Sequence, residues 1–145
     1  MQITIHHQSI TEATGDMLVL GLFEETATPG GALAAADAAL NGVISQALAA
    51  GDISGKQGET WWLPTGGLLP TPRLLLTGLG KQTELTPLQV RRAAAAAAKT
   101  ARSLGIRRLM SVAHGAGQGG LAPQEAAQAV VEGTLHGAYR FHTYK

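Results

Sequence analysis

The most suggestive chemical pattern in the sequence is a glycine-rich run near residue 115. Gly115, Gly117 and Gly120 match the spacing G-x-G-x-x-G between a predicted strand and a predicted helix. Bare backbone amides at a helix amino end suit a phosphate group. A dinucleotide site would also need a further strand with an acidic residue about twenty residues on, but only one helix follows. The run is therefore a candidate phosphate loop, and a flexible strand-to-helix loop is the simpler interpretation.

A second candidate site is a group of basic residues on one predicted helix, which could follow a nucleic-acid backbone. Residues 1–60 hold seven acids against one base, a net charge of −6, whereas residues 73–108 hold eight bases against one acid, a net of +7. No aromatic residues interleave with the bases, so a solvated helix face explains them as well. The candidates are Arg91, Arg92, Lys99 and Arg102.

No catalytic or metal-binding constellation is predicted in this chain. It has no cysteine, which excludes thiol catalysis and thiolate metal sites. Its five histidines lack the i, i+4 spacing of a helix-borne zinc site, and no serine stands in G-x-S-x-G. The run Gly78–Lys81 lacks the spacing of a P-loop. All five histidines are interpreted as structural or exposed.

The elements that must position these residues alternate between strands and helices. Alternating or continuously apolar runs predict strands near residues 3–5, 17–23, 59–63, 73–79 and 107–113. Helices are predicted over 32–50, over 87–104 with Thr86 as N-cap, and over 123–139. Asn41-Gly42 inside the first of them predicts either a kink or a split. The order β-β-α-β-β-α-β-α predicts an α/β sandwich with a mostly parallel or mixed central sheet.

Length and composition predict one cytoplasmic domain over residues 1–145. The longest apolar run, Met17–Phe23, is far shorter than the ~20 residues of a membrane span, so no membrane partner is expected. The start of the chain has neither the basic segment nor the apolar segment of a secretory signal.

Several stretches together resemble the N-terminal domain of the leucyl (cytosol) aminopeptidases, a family of hexameric two-metal metallopeptidases. The stretches occur in the family's order and extend over nearly the whole chain. They are Asp37–Leu40, Gly51–Thr60, Arg73–Lys81, Ala126–Gly133 and Tyr139–Lys145. Two local features depart from the family pattern, the pair Trp61-Trp62 and the glycine-rich run at 114–120.

The resemblance implies a macro-domain-like three-layer sandwich, with a mixed central sheet flanked by helices. It also implies that this chain is non-catalytic and binds no cofactor, because the family's metal ligands and catalytic lysine and arginine belong to a C-terminal domain. That domain would hold two divalent cations, zinc or manganese, and release N-terminal amino acids such as leucine from peptides. The implied partners are the catalytic domain and the other subunits of a homo-hexamer, and the implied role is assembly.

Two alternative functions remain open. A macro-like module could bind a phosphorylated nucleotide such as ADP-ribose through Gly115, Gly117 and Gly120. An accessory domain could bind DNA through the basic residues of the helix, since some bacterial members of the family also act as DNA-binding regulators.

Overall fold

A mixed five-stranded sheet lies at the centre of the chain. In this computed structural model the described residues are 2–6, 10, 14–26, 29–114 and 120–139. Within them the sheet has the spatial order β1-β5-β2-β4-β3, in which β3 pairs antiparallel with β4 and all other pairs are parallel. The strands are β1 (Gln2–His6), β2 (Met17–Phe23), β3 (Thr60–Pro64), β4 (Arg73–Gly80) and β5 (Arg108–Val112). The predicted mixed sheet is confirmed.

Four α-helices flank the sheet in the described part of the chain: α1 (Gly31–Ala39), α2 (Val43–Ala50), α3 (Pro87–Ser103) and α4 (Pro123–Tyr139). The helix predicted over 32–50 is two helices, because Asn41 and Gly42 adopt left-handed φ values of 58° and 82°. Asp37 secures the turn, since its carboxylate accepts hydrogen bonds from the backbone amides of Ile44 and Ser45. The element order therefore contains one more helix than predicted.

No single helix in the described residues is long and apolar enough to cross a membrane. The pair α1 and α2 passes that test by length and composition only when its two members are counted together, and they are bent by 107° relative to each other.

Strand β2 separates two apolar layers. Leu18, Leu20 and Leu22 point towards α1 and α2, where they pack with Leu33, Leu40 and Ile44 among others. Met17 and Val19 point to the opposite face and pack against Ala97 and Ala101 of α3. The alternation follows from the period-two geometry of a strand. It produces the three-layer arrangement with α1 and α2 on one face of the sheet and α3 and α4 on the other.

Small residues allow α3 and α4 to approach each other closely. The alanine run of α3 is largely buried, as the sequence predicts for a helix packed on a sheet. On α4, an ideal Cβ added at Gly133 would lie 2.1 Å from the carbonyl oxygen of Arg91. One added at Gly137 would lie 2.5 Å from the carbonyl oxygen of Ala95. Glycine is required at both positions by contact with the backbone of the neighbouring helix.

Replacing Gly133 by alanine tests this contact, because the two relevant effects have opposite signs. In an unpacked helix Gly→Ala stabilises by about 0.5–1 kcal/mol, whereas here the new methyl group must push α3 away. We expect Gly133→Ala to lower the free energy of unfolding by about 1–3 kcal/mol in urea denaturation. The control Gln128→Ala, at an exposed site of α4, should change it by less than about 0.5 kcal/mol. An unchanged or raised stability of Gly133→Ala would contradict the close packing.

Candidate functional site

A cleft of about 220 Å³ opens at the carboxyl ends of three parallel strands. One wall comes from β2 and the end of β4, the second from the last residue of β5 and residues 113–114 after it, and the third from the amino end of α1. The described lining residues include no charged side chain. They are Leu20, Gly21, Phe23, Thr26, Gly30, Gly31, Ala32, Leu33, Leu79, Val112, Ala113 and His114.

The chain topology explains why the cleft forms at this edge. The helix that follows β2 packs on one face of the sheet, whereas the helices that follow its neighbours β4 and β5 pack on the other. Adjacent connections therefore leave the sheet in opposite directions and separate at the end of β2. In open α/β sheets, ligands bind in such crevices outside the carboxyl ends of the strands.

The amino end of α1 contributes backbone amide donors to the cleft. The residue before the helix is Gly30, so no side chain caps it, and the first turn contains no acid. Gly31 has a φ of 57°, a left-handed conformation that side chains rarely adopt. The first amides of a helix have no partner within the helix and carry partial positive charge. This end of α1 is therefore suited to a negatively charged group.

His114 lies in the floor of the cleft and is 2% exposed. Its Nε2 is 3.3 Å from the hydroxyl oxygen of Ser111. Its Nδ1 is buried without a hydrogen-bond partner among the described residues. Burial lowers the pKa of His114 to about 4, so the imidazole is neutral at pH 7.

A turn formed by residues 53–59 lies against the carboxyl ends of β2 and β4. The carboxylate of Glu59 accepts hydrogen bonds of 2.8 Å from the amides of both Ser54 and Gly55. Burial alone would raise the pKa of Glu59, but these hydrogen bonds and the charge of Lys56 outweigh it and lower that pKa. Gly55 in turn accepts a hydrogen bond from the amide of Gly80, at the end of β4. The stretch Gly51–Thr60 therefore has a structural role, because its hydrogen bonds hold the turn and join it to the end of β4.

The sequence candidates for phosphate binding are only partly described. Gly115 and Gly117 lie outside the described residues, and Gly120 has a left-handed φ of 77°. The segment that contains them follows directly from His114 in the cleft, and their role as phosphate ligands stays a prediction. Sequence analysis missed the amino end of α1. The available signal was Gly30-Gly31 between a buried strand and a helix.

The four basic candidates of α3 divide into two pairs with different surroundings. Arg91 Nε lies 3.5 Å from a carboxylate oxygen of Glu132, and Arg102 donates to the carbonyl oxygens of Gly137 and Ala138 at the end of α4. Arg92 and Lys99 instead line an open groove of about 510 Å³. Gly58, Thr60, Ala95, Ala96, Thr100 and His136 complete its lining. Only Arg92 and Lys99 lie together in a groove that a phosphate backbone could enter.

Several acids of the first sixty residues bond to backbone amides. Asp16 accepts from the amides of Arg107 and Arg108, while Asp37 and Glu59 hold the turns described above. Within the described ranges, no group of three or more histidine, cysteine, aspartate or glutamate residues is placed to hold a metal ion.

Comparison with known proteins gives one consistent family. The model of the cytosol aminopeptidase family, N-terminal domain, matches residues 19–145. A probable cytosol aminopeptidase of Alkaliphilus oremlandii is 31% identical over 145 residues, which is 100% of this chain and 29% of that protein. The chain therefore spans less than a third of the curated relatives that it matches over its full length.

Solved structures agree with this family and with the fold. A mutant of tomato leucine aminopeptidase is 26% identical, with a TM-score of 0.73 over 94% of this chain and 28% of that chain. The bottromycin maturation enzyme BotP in complex with Mn is 25% identical, with a TM-score of 0.63 over 91% of this chain and 25% of that chain.

The macrodomains share the architecture at lower sequence identity. The Trypanosoma brucei macrodomain in complex with ADP-ribose has a TM-score of 0.77 over 98% of this chain and 59% of that chain, at 18% identity. At this identity the likeness shows the fold alone. The expected macro-domain-like three-layer sandwich is confirmed.

The burial of His114 predicts a specific loss of stability in mild acid. An unfolded histidine binds a proton near pH 6.5, whereas folded His114 does so only near pH 4. The contribution of the neutral ring is therefore complete above pH 6.5 and is lost as the pH falls towards 4. We expect the free energy of unfolding to fall over this range, and His114→Gln to reduce that fall. Urea denaturation at pH 7, 6 and 5 measures both.

Glu59→Gln is the control for this experiment. Because the pKa of Glu59 is lowered from 4.5, its contribution is present above about pH 4.5 and is lost only as the pH falls below that value. This variant should be less stable at pH 7 but should keep the decline between pH 6.5 and 4.5. An equal pH dependence of His114→Gln and the unmodified chain would show that His114 is not the titrating group.

DNA binding through α3 stays a prediction, which now rests on Arg92 and Lys99. The double variant Arg92→Ala/Lys99→Ala should weaken binding to duplex DNA in gel-shift titrations. It should also reduce the slope of log affinity against log salt by about 2, since two phosphate contacts are removed. Arg91→Ala is the matched control on the same helix and should change the slope less. Equal affinity and slope in the double variant would exclude this groove as the binding surface.

Proposed function

The chain belongs to the cytosol aminopeptidase family as its N-terminal domain, and on that premise we propose that it serves assembly rather than catalysis. The observation that carries this proposal is the use of its carboxylates. Asp16, Asp37 and Glu59 accept hydrogen bonds from backbone amides, so their charge stabilises two turns and the start of β5. Chemistry on a peptide bond would then be done by residues outside this chain.

The whole protein, on this proposal, is a metal-dependent aminopeptidase of the cytoplasm that releases N-terminal residues such as leucine. Two divalent cations, zinc or manganese, would lie in a separate catalytic domain, where they would activate water and stabilise the tetrahedral intermediate. Support comes from the greater length of the relatives and from BotP, which was solved with Mn.

An exposed aromatic residue on the edge strand β3 is the surface feature that best suits assembly. Trp61 packs into the core beneath α1 and α2. Trp62 points to the other face, is 38% exposed, and has the guanidinium of Arg73 5.3 Å from its ring. Tryptophan and arginine are enriched where protein surfaces bind tightly. We propose that this pair contacts the catalytic domain or another subunit of a homo-hexamer.

The coding sequence beyond Lys145 is the first test of this function. A reading frame that continues into a domain with a lysine and clustered carboxylates supports the assembly role, and a stop codon directly after Lys145 contradicts it. The chain by itself should not hydrolyse leucine p-nitroanilide with added Mn²⁺ or Zn²⁺. Metal-dependent turnover that co-purifies with the chain would contradict the non-catalytic role.

In the intact protein, Trp62→Ala should reduce the oligomer mass measured by light scattering, because a buried aromatic contact is removed. Gln46→Ala, at an exposed site on α2, is the control and should leave the mass unchanged. A full-size oligomer in Trp62→Ala would show that this face is not a contact between subunits.

A second function, binding of a phosphorylated nucleotide such as ADP-ribose, is favoured by the cleft at the strand ends. Its position outside the carboxyl edge of the sheet and its uncapped helix end suit a phosphate. The fold likeness to a macrodomain solved with ADP-ribose adds support. Calorimetry with ADP-ribose tests it, and the absence of heat at millimolar ligand would contradict it.

A further inference from the structure

The atom in the cleft that most needs a partner is Nδ1 of His114. The side chain is almost fully buried, and no described residue provides Nδ1 with a hydrogen bond. Nδ1 faces Gly21 in the cleft floor, where an ideal Cβ added to the glycine would lie only 3.1 Å away. A buried polar atom without a partner destabilises the fold. A partner supplied by a ligand removes that penalty.

The hydrogen bonds of Ser111 show which kind of partner Nδ1 requires. The hydroxyl oxygen of Ser111 lies 3.0 Å from the carbonyl oxygen of Val112, which can only accept, so the hydroxyl donates there. We assign the ring proton to Nε2 of His114 on this basis, because the same hydroxyl oxygen, 3.3 Å away, is then left to accept a hydrogen bond. A neutral imidazole has one donor and one acceptor nitrogen. Nδ1 is therefore an acceptor, and its partner in the cleft must be a donor such as a hydroxyl group.

The wall formed by the amino end of α1 requires a ligand group that accepts hydrogen bonds. The amides of Gly31, Ala32 and Leu33 open α1 without a capping side chain or an acid in the first turn. A phosphate is well suited to such amides, since it accepts several hydrogen bonds and its charge is stabilised by the helix dipole. The cleft thus offers donors at one wall and a buried acceptor at its floor.

We infer that the cleft binds a small phosphate ester that also carries hydroxyl groups, namely a phosphorylated sugar. Its phosphate lies on the amides that open α1. A sugar hydroxyl donates to Nδ1 of His114 when the side chain of Leu79, which lies beside Nδ1 at Gly21, moves aside. The apolar side chains of Leu20, Leu33 and Leu79 cover the carbon skeleton. This inference deepens the nucleotide-binding function proposed above and rests on the same cleft.

Cleft size narrows the ligand further. Pockets for drug-sized ligands usually measure about 300–1,000 Å³, whereas the described residues line an open cleft of about 220 Å³. This volume suits a single sugar phosphate. The sugar phosphate could be free or could be the terminal part of a nucleotide sugar, because both present the same groups to the cleft.

The experiment is an NMR titration of the ¹⁵N-labelled chain with ribose 5-phosphate, ADP-ribose, inorganic phosphate and ribose in separate arms. Ribose 5-phosphate should shift the amides of Gly31, Ala32 and Leu33 and the ring nitrogens of His114. It should bind about tenfold more tightly than inorganic phosphate, because the hydroxyl contact is added. Tighter binding of ADP-ribose than of ribose 5-phosphate would show that the bound sugar phosphate is the terminal part of a nucleotide sugar.

A charge variant tests the helix end. Ala32 is partly buried against the core, so an uncharged variant at the same position controls for lost packing. Ala32→Asp places a negative charge where the phosphate should lie and also favours the helix, since acids stabilise the first turn. We expect it to weaken ribose 5-phosphate binding at least about tenfold. Ala32→Asn is the uncharged control of similar shape, and Ala35→Asp places the same charge at an exposed site of α1 outside the cleft. Both should stay within about threefold of the unmodified chain.

Each contrary outcome has a distinct meaning. If ADP-ribose binds but leaves residues 31–33 and His114 unshifted and is unaffected by Ala32→Asp, this inference is wrong and nucleotide binding stands. If ribose 5-phosphate shifts those signals and ADP-ribose neither binds nor competes, the inference stands and nucleotide binding is wrong. If no arm produces shifts at millimolar concentration, both are wrong.

Discussion

Strand β2 is buried on both faces, and the other layers depend on that burial. Leu18, Leu20 and Leu22 are covered by α1 and α2, while Met17 and Val19 are covered by α3. Burial of one such side chain contributes about 1.5–3 kcal/mol. The same arrangement requires the helix after β2 to pack opposite the helices after β4 and β5. The cleft at the strand ends is therefore a direct consequence of how the core is built.

Several charged residues in this protein hold turns, a strand start and a helix end. Asp37 secures the turn between α1 and α2, Glu59 holds the turn at residues 53–59, and Asp16 bonds to the amides at the start of β5. Arg102 similarly occupies the carboxyl end of α4, where positive charge is favourable. The uneven charge along the sequence thus gives little indication of a binding surface, because many of the charges already have partners within the fold.

The family and the fold of this domain suggest different functions. The family contains peptidases, whereas the fold also occurs in macrodomains. Function depends on particular sites rather than on the fold. In this chain the features that could act on other molecules are Trp62 with Arg73 on the edge strand, and the cleft with its uncapped helix and buried His114. They lie on different parts of the domain, so an assembly role and a ligand-binding role are compatible.

The sequence by itself determined the strands, the helices and the mixed sheet, because the period of apolar residues reports directly which faces are buried. It also indicated the break at Asn41-Gly42 and the family. Tertiary structure alone decided which of the basic residues of α3 lie in a common groove, since Glu132 and the end of α4 approach from distant parts of the chain. The tertiary structure likewise determined where the cleft forms. Gly30-Gly31 and His114 are more than eighty residues apart and come together only when the sheet forms.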